Sequence, residues 1–233
     1  MSRAVIVASG GMDSTTLAWH YHTLGYDLHL VGFNYGQRHS KELDFLFVQA
    51  NRLGADVTIM PLDWLKGHLR GSSLTSDEIS VPDGRYDELS MKITVVPNRN
   101  AIMISLAVGL AIAEKCEVVA TGIHAGDHFI YPDCRPAFFE PFSQAMVAGN
   151  SGFAPDNFRV EAPFIEMTKT EIAKYGGQMG VDYSITWSCY KGGEIHCGTC
   201  GTCYERQEAF MESGVKDPTE YLARPQELLE RFA

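Results

Sequence analysis

Six residues near the start of the chain, Ser9-Gly10-Gly11-Met12-Asp13-Ser14, bring hydroxyls, glycines and a carboxylate together in a spacing that suits a phosphate and its metal. They follow the apolar run Ala4-Val5-Ile6-Val7-Ala8 and precede the helix-like Thr15-Thr16-Leu17-Ala18-Trp19-His20. A strand therefore runs into a tight turn, and a helix starts at once. Several backbone N–H groups and the positive end of the helix dipole then converge on one spot. Adjacent glycines let the backbone approach a bulky anion, and Ser9, Ser14 and Thr15 add hydroxyl donors. An ordinary Gly-Gly turn capped by Asp13 or Ser14 would use the same residue types. The placement of the whole string between strand and helix favours the phosphate. The string is neither G-x-x-x-x-G-K-[ST] nor G-x-G-x-x-G.

A second cluster lies near the other end. Cys189-x7-Cys197-x2-Cys200-x2-Cys203 holds four of the six cysteines. Four thiolates at that density suit tetrahedral Zn²⁺, and a closed four-thiolate site is structural. Glycines 192, 193, 198 and 201 free the backbone to wrap a metal. A [4Fe–4S] cluster uses the same C-x2-C-x2-C spacing and is the rival occupant. His196 is either a substitute ligand or a neighbour of the site. Cys116 reads as a small core residue. Cys134 has two readings: a packing residue in a tight turn, or a nucleophile whose pKa Arg135 lowers.

These residues need a frame. A chain of 233 residues, 45% hydrophobic, fits one α/β domain over 1–233. Apolar runs alternating with helical patterns predict a doubly wound parallel sheet. Strands are expected near 4–8, 28–34, 56–61 and 117–122. Helices are expected near 14–24, 39–53, 99–115, 137–148, 168–179, 204–213 and 219–232. The cysteine segment spans 186–206. Between 67 and 98 the pattern fails, which predicts either a lid or a solvated excursion. No apolar run reaches the length of a bilayer, and Met1-Ser2-Arg3 leads straight into the first strand, so a cytoplasmic protein is expected. The net charge of −10 and the scattered basic residues argue against nucleic acid as partner.

Ser9–Ser14 resembles the pyrophosphate loop of the ATP pyrophosphatase superfamily, whose signature is S-G-G-x-D-S. The chain as a whole, from Arg3 to about Phe210, resembles the 7-cyano-7-deazaguanine synthase family. The shared strings are Ser9 to Thr16, Tyr35-Gly36-Gln37-Arg38-His39, Ser72-Ser73-Leu74-Thr75, Val96-Pro97 with Arg99-Asn100, Tyr131-Pro132-Asp133-Cys134-Arg135, and the four cysteines with Arg206.

The resemblance implies that 7-carboxy-7-deazaguanine, ammonia and ATP are the substrates. The acid is adenylated and ammonia displaces AMP. A second ATP then activates the amide oxygen, and loss of AMP leaves the nitrile. Ala8, Ser9, Gly10, Gly11, Met12, Asp13, Ser14, Thr15, Thr16 and Leu17 would form the ATP-binding stretch, with Asp13 placing Mg²⁺. Arg38 would neutralise phosphate charge or bind the substrate carboxylate; an ion pair with Glu42 is its other reading. Lys169 opens a helix capped by Thr168, an end that disfavours cations, so it is either held for an anion or merely exposed. Arg99 would reach the nucleotide or cap a loop. Tyr35, Gln37, Asp127, Tyr131, Asp133 and Arg135 would line the deazapurine pocket, where a carboxylate and an aromatic face suit ring N–H donors. A homodimer is also implied.

Three residues depart from the family pattern. Asn34 stands for an aspartate, Asn98 for a glycine and Ile130 for a glycine. Ile130 adds bulk near the expected base pocket, which raises an amide-forming ligase as an alternative product. The other rivals are a tRNA-thiolating enzyme with the same loop and a non-catalytic, zinc-stabilised nucleic-acid-binding module. The module explains the cysteines but not Ser9–Ser14.

Overall fold

The computed structural model describes residues 2–69, 71–76, 78–85 and 91–232. Its strands are β1 (Arg3–Val7), β2 (Asp27–Asn34), β3 (Asp56–Pro61), β4 (Val118–Thr121) and β5 (Arg159–Glu161). They form one parallel sheet in the order β3-β2-β1-β4-β5. The central strand β1 is buried on both faces, and its side chains alternate between two cores. Ala4 and Ile6 meet Leu17, Leu46, Phe164 and Ile172 on one side. Val5 meets Val31, Ile104, Val108 and Phe139 on the other.

Helices cover both faces. The first core belongs to α1 (Met12–Thr23), α2 (Glu42–Leu53) and, later in the chain, α5 (Lys169–Met179). The second belongs to α3 (Arg99–Ala113) and α4 (Pro136–Gly149). Two further helices close the fold: α6 (Gly201–Ser213), which carries the last of the four clustered cysteines, and α7 (Gln226–Arg231). From β1 the chain runs outward to β2 and β3, then returns to β4 on the other side of β1. The crevice above the carboxyl ends of β1 and β4 is thus the switch point where ligands bind in such sheets.

The doubly wound parallel sheet agrees with the sequence expectation, as do four of its strands. β5 was not expected: Arg159-Val160-Glu161 is too short to show alternation, and only its ladder with Val118–Ala120 defines it. Helix α2 starts at Glu42 rather than at 39, because residues 37–41 form the preceding turn, and it ends on Gly54 in the left-handed region. The expected cap of α5 is a full capping box between Thr168 and Glu171. The expected helix 219–232 shrinks to α7. Pro218 and Pro225 break the pattern, and Leu222 N–H instead donates to the His196 carbonyl (2.9 Å), strapping this stretch to the cysteine segment.

Residues 70, 77 and 86–90 of the expected lid lie outside the described residues. Its described part includes wall rather than a solvated excursion. Ser72, Ser73, Leu74, Thr75 and Thr94 are buried, Ser72 Oγ donates to the Thr94 carbonyl (3.0 Å), and Val81 packs against Trp187 and the cysteines. One stretch, Lys92–Ala113, is long and apolar enough by composition to cross a membrane, with a mean hydropathy of 1.5. It is interrupted by Lys92, Asn98, Arg99 and Asn100 and is not an unbroken apolar run. Within it, α3 lays Met103, Ile104, Ala107, Val108 and Ala111 in the core beside β1 and β4, the position of a central helix on a parallel sheet.

Candidate active site

At the switch point β1 delivers the loop Ala8–Gly11 to the start of α1. Gly10 has φ +90°, and a Cβ there would lie 2.1 Å from the Glu42 carbonyl oxygen. Both the angle and the space demand glycine. The loop is tied internally. Ser14 Oγ donates to the Gly11 carbonyl (3.2 Å), and Gly11 N–H donates to Ser9 Oγ (3.1 Å). Ala8, Ser9, Gly11, Met12, Asp13 and Ser14 line a cleft over the carboxyl ends of β1, β2 and β4.

The rest of the expected ATP-binding stretch does not line it. Thr16 Oγ1 turns back to the Met12 carbonyl (2.8 Å) and to Tyr183 Oη (2.9 Å). Leu17 is in the core. The buried Thr15 hydroxyl has no hydrogen-bond partner, and neither does Asp13 Oδ1.

Beside the loop sits a charged cluster assembled from four segments. Lys169 Nζ lies 2.6 Å from Glu205 Oε2 and 3.3 Å from Asp13 Oδ2. Burial works against its charge, but Asp13, Glu205 and Asp127 outweigh that and hold its pKa above the ordinary lysine value. His124 Nε2 stands 3.8 Å from Asp13 Oδ2 and 3.7 Å from Asp127 Oδ2. Its Nδ1 accepts from Gly126 N–H (3.1 Å). The proton of a neutral ring is thereby on Nε2, facing the two carboxylates.

The other end of the cleft is aromatic. Arg99 opens α3 and reaches between the rings of Tyr35 and Tyr131, 5.8 and 5.7 Å from their centroids, and donates to Tyr35 Oη (3.3 Å). Burial pushes the Tyr35 hydroxyl up to about 12. Tyr190 lies 5.0 Å from the His39 ring. Glu42, expected as an ion partner of Arg38, instead lines the cleft with its side chain 12% exposed. Burial raises its carboxyl to about 8, against the pull of Arg99 and hydrogen bonds from Gln37 and Ser9.

Of the expected site residues, Asp13, Tyr35, Arg99, Asp127, Tyr131 and Lys169 meet in this cleft. Four others are outside its lining. Gln37 holds the turn after β2, donating to the Phe33 carbonyl (3.0 Å) and accepting from Tyr35 N–H (2.9 Å). Arg38 donates to the Ser76 carbonyl (2.5 Å), and Glu42, its expected ion partner, instead lies 3.5 Å from His39 Nε2. Asp133 caps α3 through Asn100 N–H (3.0 Å). Arg135 is exposed and donates to the His128 carbonyl (2.6 Å).

Cys134 reaches the cleft lining, but burial pushes its thiol up, followed by the charges of Asp127 and Asp133, so Arg135 does not activate it. Ile130 packs in the core rather than in the cleft. Asn98 takes φ +57°, a left-handed position that asparagine tolerates in place of glycine. Asn34 accepts from Gly36 N–H (3.1 Å) in a local turn. Residues absent from the sequence expectation are His39, Glu42, His124, Tyr190 and Glu205. Only His39, within a recognised string, carried a signal. The others are isolated polar residues until the fold joins them.

The cysteine cluster closes as expected. The sulfurs of Cys189, Cys197, Cys200 and Cys203 lie within 4.8 Å of one another, with Cys197 and Cys203 3.9 Å apart. Backbone N–H groups of Thr199 and Cys200 point at Cys197 Sγ (3.4 and 3.3 Å). His196 is a neighbour, its Nε2 accepting from Ser188 N–H (3.1 Å). Arg206, fully buried, donates to Thr186 Oγ1 (2.8 Å), Ser188 Oγ (3.1 Å) and the Tyr183 carbonyl (3.1 Å).

A parallel five-stranded sheet with the S-G-G-x-D-S loop at its switch point defines a PP-loop, ATP-pyrophosphatase-type fold. A crystal structure of a 4-thiouridine synthetase–RNA complex with bound ATP shares that fold, with a TM-score of 0.50 and 16% identity over 99% of this chain and 49% of that one. The family model described as "Queuosine biosynthesis protein QueC" matches residues 3–214, and the chain belongs to that family. A relative named 7-cyano-7-deazaguanine synthase from Rhizobium johnstonii is 51% identical over 222 residues, 94% of this chain and 92% of its own. Another so named, from Ruegeria pomeroyi, is 49% identical and covers 94% of each chain.

The buried His39 generates a pH prediction. Burial, then the charge of Arg99, lowers its pKa from 6.5 to about 3. Between those values the unfolded chain binds a proton that the folded one refuses. Its contribution therefore destabilises the fold progressively as pH falls below 6.5. Urea denaturation at about pH 7 and about pH 5 should show His39→Gln losing less stability on acidification than the wild type. An equal loss in both would refute the assignment.

Proposed function

We propose that this protein converts 7-carboxy-7-deazaguanine and ammonia into 7-cyano-7-deazaguanine, as a ligase that consumes two ATP. The observation carrying this reading is the meeting of the Ser9–Ser14 loop, Asp13 and Lys169 in one cleft, within a chain about 50% identical over 94% of its length to synthases of that name. A carboxylate is a poor electrophile because oxide would have to leave. Attack of its oxygen on the α-phosphorus of ATP expels pyrophosphate and gives an acyl adenylate. Ammonia adds at the carbonyl, AMP leaves with the former carboxylate oxygen, and one proton is lost. The amide oxygen attacks the α-phosphorus of a second ATP, pyrophosphate leaves, and the nitrogen gives up one proton. The C–O bond then breaks as the nitrogen loses its second proton, leaving nitrile and AMP.

The chain's own groups suit these steps. The loop N–H groups and the dipole of α1 hold phosphate oxygens. Lys169, charged and buried, meets the negative charge that builds on them. Asp13, with one carboxylate oxygen unpartnered, and Asp127 are hard-oxygen ligands that would hold Mg²⁺ accompanying ATP. That ion would neutralise phosphate charge.

The four thiolates fit a structural Zn²⁺. A tetrahedral ion with bonds of about 2.3 Å sets its sulfurs a little under 4 Å apart, close to the Cys197–Cys203 separation of 3.9 Å. A four-iron cube would spread them farther. Retention of Ile130 in the core removes the steric reason for stopping at the amide. The net charge of −10 supports small-molecule substrates over tRNA. The family resemblance implies a cytoplasmic homodimer.

Incubation with 7-carboxy-7-deazaguanine, ammonium and Mg·ATP, followed by mass spectrometry, should yield the nitrile with AMP and pyrophosphate. Asp13→Ala should abolish that turnover while retaining the wild-type circular dichroism. Amide as the end product, or full activity in the variant, would contradict the reading. Elemental analysis of the purified protein should give about one zinc per chain. Iron with acid-labile sulfide would overturn that assignment.

A further inference from the structure

The tyrosine end of the cleft carries chemistry that phosphate handling does not use. Glu42 presents a carboxyl there, held by the loop side chain Ser9 and by Gln37 and His39. Arg99 presents a guanidinium in the same region, packed between two tyrosine rings. Tyr35, Tyr131, Tyr190 and Trp187 supply flat apolar surface. An acceptor group and a donor group among aromatic faces suit a planar ring with complementary edges.

Resting on the proposed substrate, we propose that Glu42 reads the 2-amino-pyrimidinone edge of the deazaguanine, with Arg99 donating to the neighbouring ring carbonyl. The ring N1–H and the exocyclic amine are adjacent donors lying side by side, and a carboxylate accepts both. Adenine offers one exocyclic donor with a ring lone pair beside it, which would face the carboxylate unfavourably. A 7-deaza ring has no N7 acceptor, so this edge holds most of its polar identity. The acid group at C7 is on the opposite, five-membered ring.

Burial raises the Glu42 carboxyl to about 8. Ligand N–H groups brought to it favour its ionised form. The assignment also replaces the expected base contacts. Asp133 is committed to capping α3 and Asp127 to facing His124. It gives Arg99 to the base rather than to the nucleotide.

The test compares 7-carboxy-7-deazaguanine with its analogue lacking the 2-amino group, in steady-state kinetics and in calorimetric binding without ATP. A site built to bond a donor rejects the analogue lacking it, by a factor on the order of 100 here. The wild type should show that preference. Glu42→Gln should raise the KM for the acid on the order of 100-fold, leave the KM for ATP within about three-fold, and shrink the preference to about three-fold or less. A wild type that accepts both acids equally overturns the proposal whether or not the variant folds. So does a variant that changes the KM for ATP or ammonium instead, or lowers kcat with the acid's KM intact, the mark of a proton acceptor. A wild type that neither binds nor consumes the acid sinks the proposed function and this inference with it. Normal consumption with full preference retained in Glu42→Gln sinks the inference alone.

Discussion

The buried ammonium of Lys169, held between Asp13 and Glu205, is the contact on which the site depends. It joins three distant parts of the chain: the first turn of α1, the start of α5 and the helix α6 that begins within the cysteine cluster. A buried cation is stable only while carboxylates compensate it, and here Glu205 and Asp13 share that task. The ion group thereby fixes how the nucleotide loop and the cysteine segment sit together. Lys169 is at a helix N-terminus, where the dipole disfavours it. Its position is explained by the carboxylates of Asp13 and Glu205.

The cysteine segment is more than a remote staple. Trp187 N–H donates to the Gly10 carbonyl (3.0 Å) at the loop itself. Thr202 Oγ1 donates to the Ser188 carbonyl (2.8 Å), and Arg206 ties the same stretch to α6. The four sulfurs fix the beginning of α6, and α6 presents Glu205 to Lys169. On the proposed mechanism the loop holds phosphates in one geometry through two successive activations, and this rigid backing would serve it.

Much of the architecture was legible because its signals are local. The apolar strand, the Gly-Gly turn and the following helix appear in consecutive residues, as do the overlapping cysteine pairs. The signals that failed are those settled by partners far away in sequence. β5 exists because β4 offers it a ladder. Residues 219–225 are not helical because the cysteine segment binds them and Pro225 disfavours helix at the residue before it. Polar residues in recognised strings divide by what the fold does with them. Asp133 caps a helix, Gln37 closes a turn and Arg38 meets a carbonyl. Glu42, which looked like a helix-surface partner, lines the cleft at the first residue of α2. His124 and Glu205 have no motif around them, and only the closure of the sheet and of the cysteine segment brings them to Asp13 and Lys169.

The central claim is that one loop activates two oxygens of the same carbon in turn, each by attack on an α-phosphorus. The most direct measurement uses 7-carboxy-7-deazaguanine with ¹⁸O in both carboxylate positions and follows the label into products. The account predicts two AMP per nitrile, each carrying one ¹⁸O, with unlabelled pyrophosphate. Label in inorganic phosphate with ADP as co-product, or AMP without label, would contradict it.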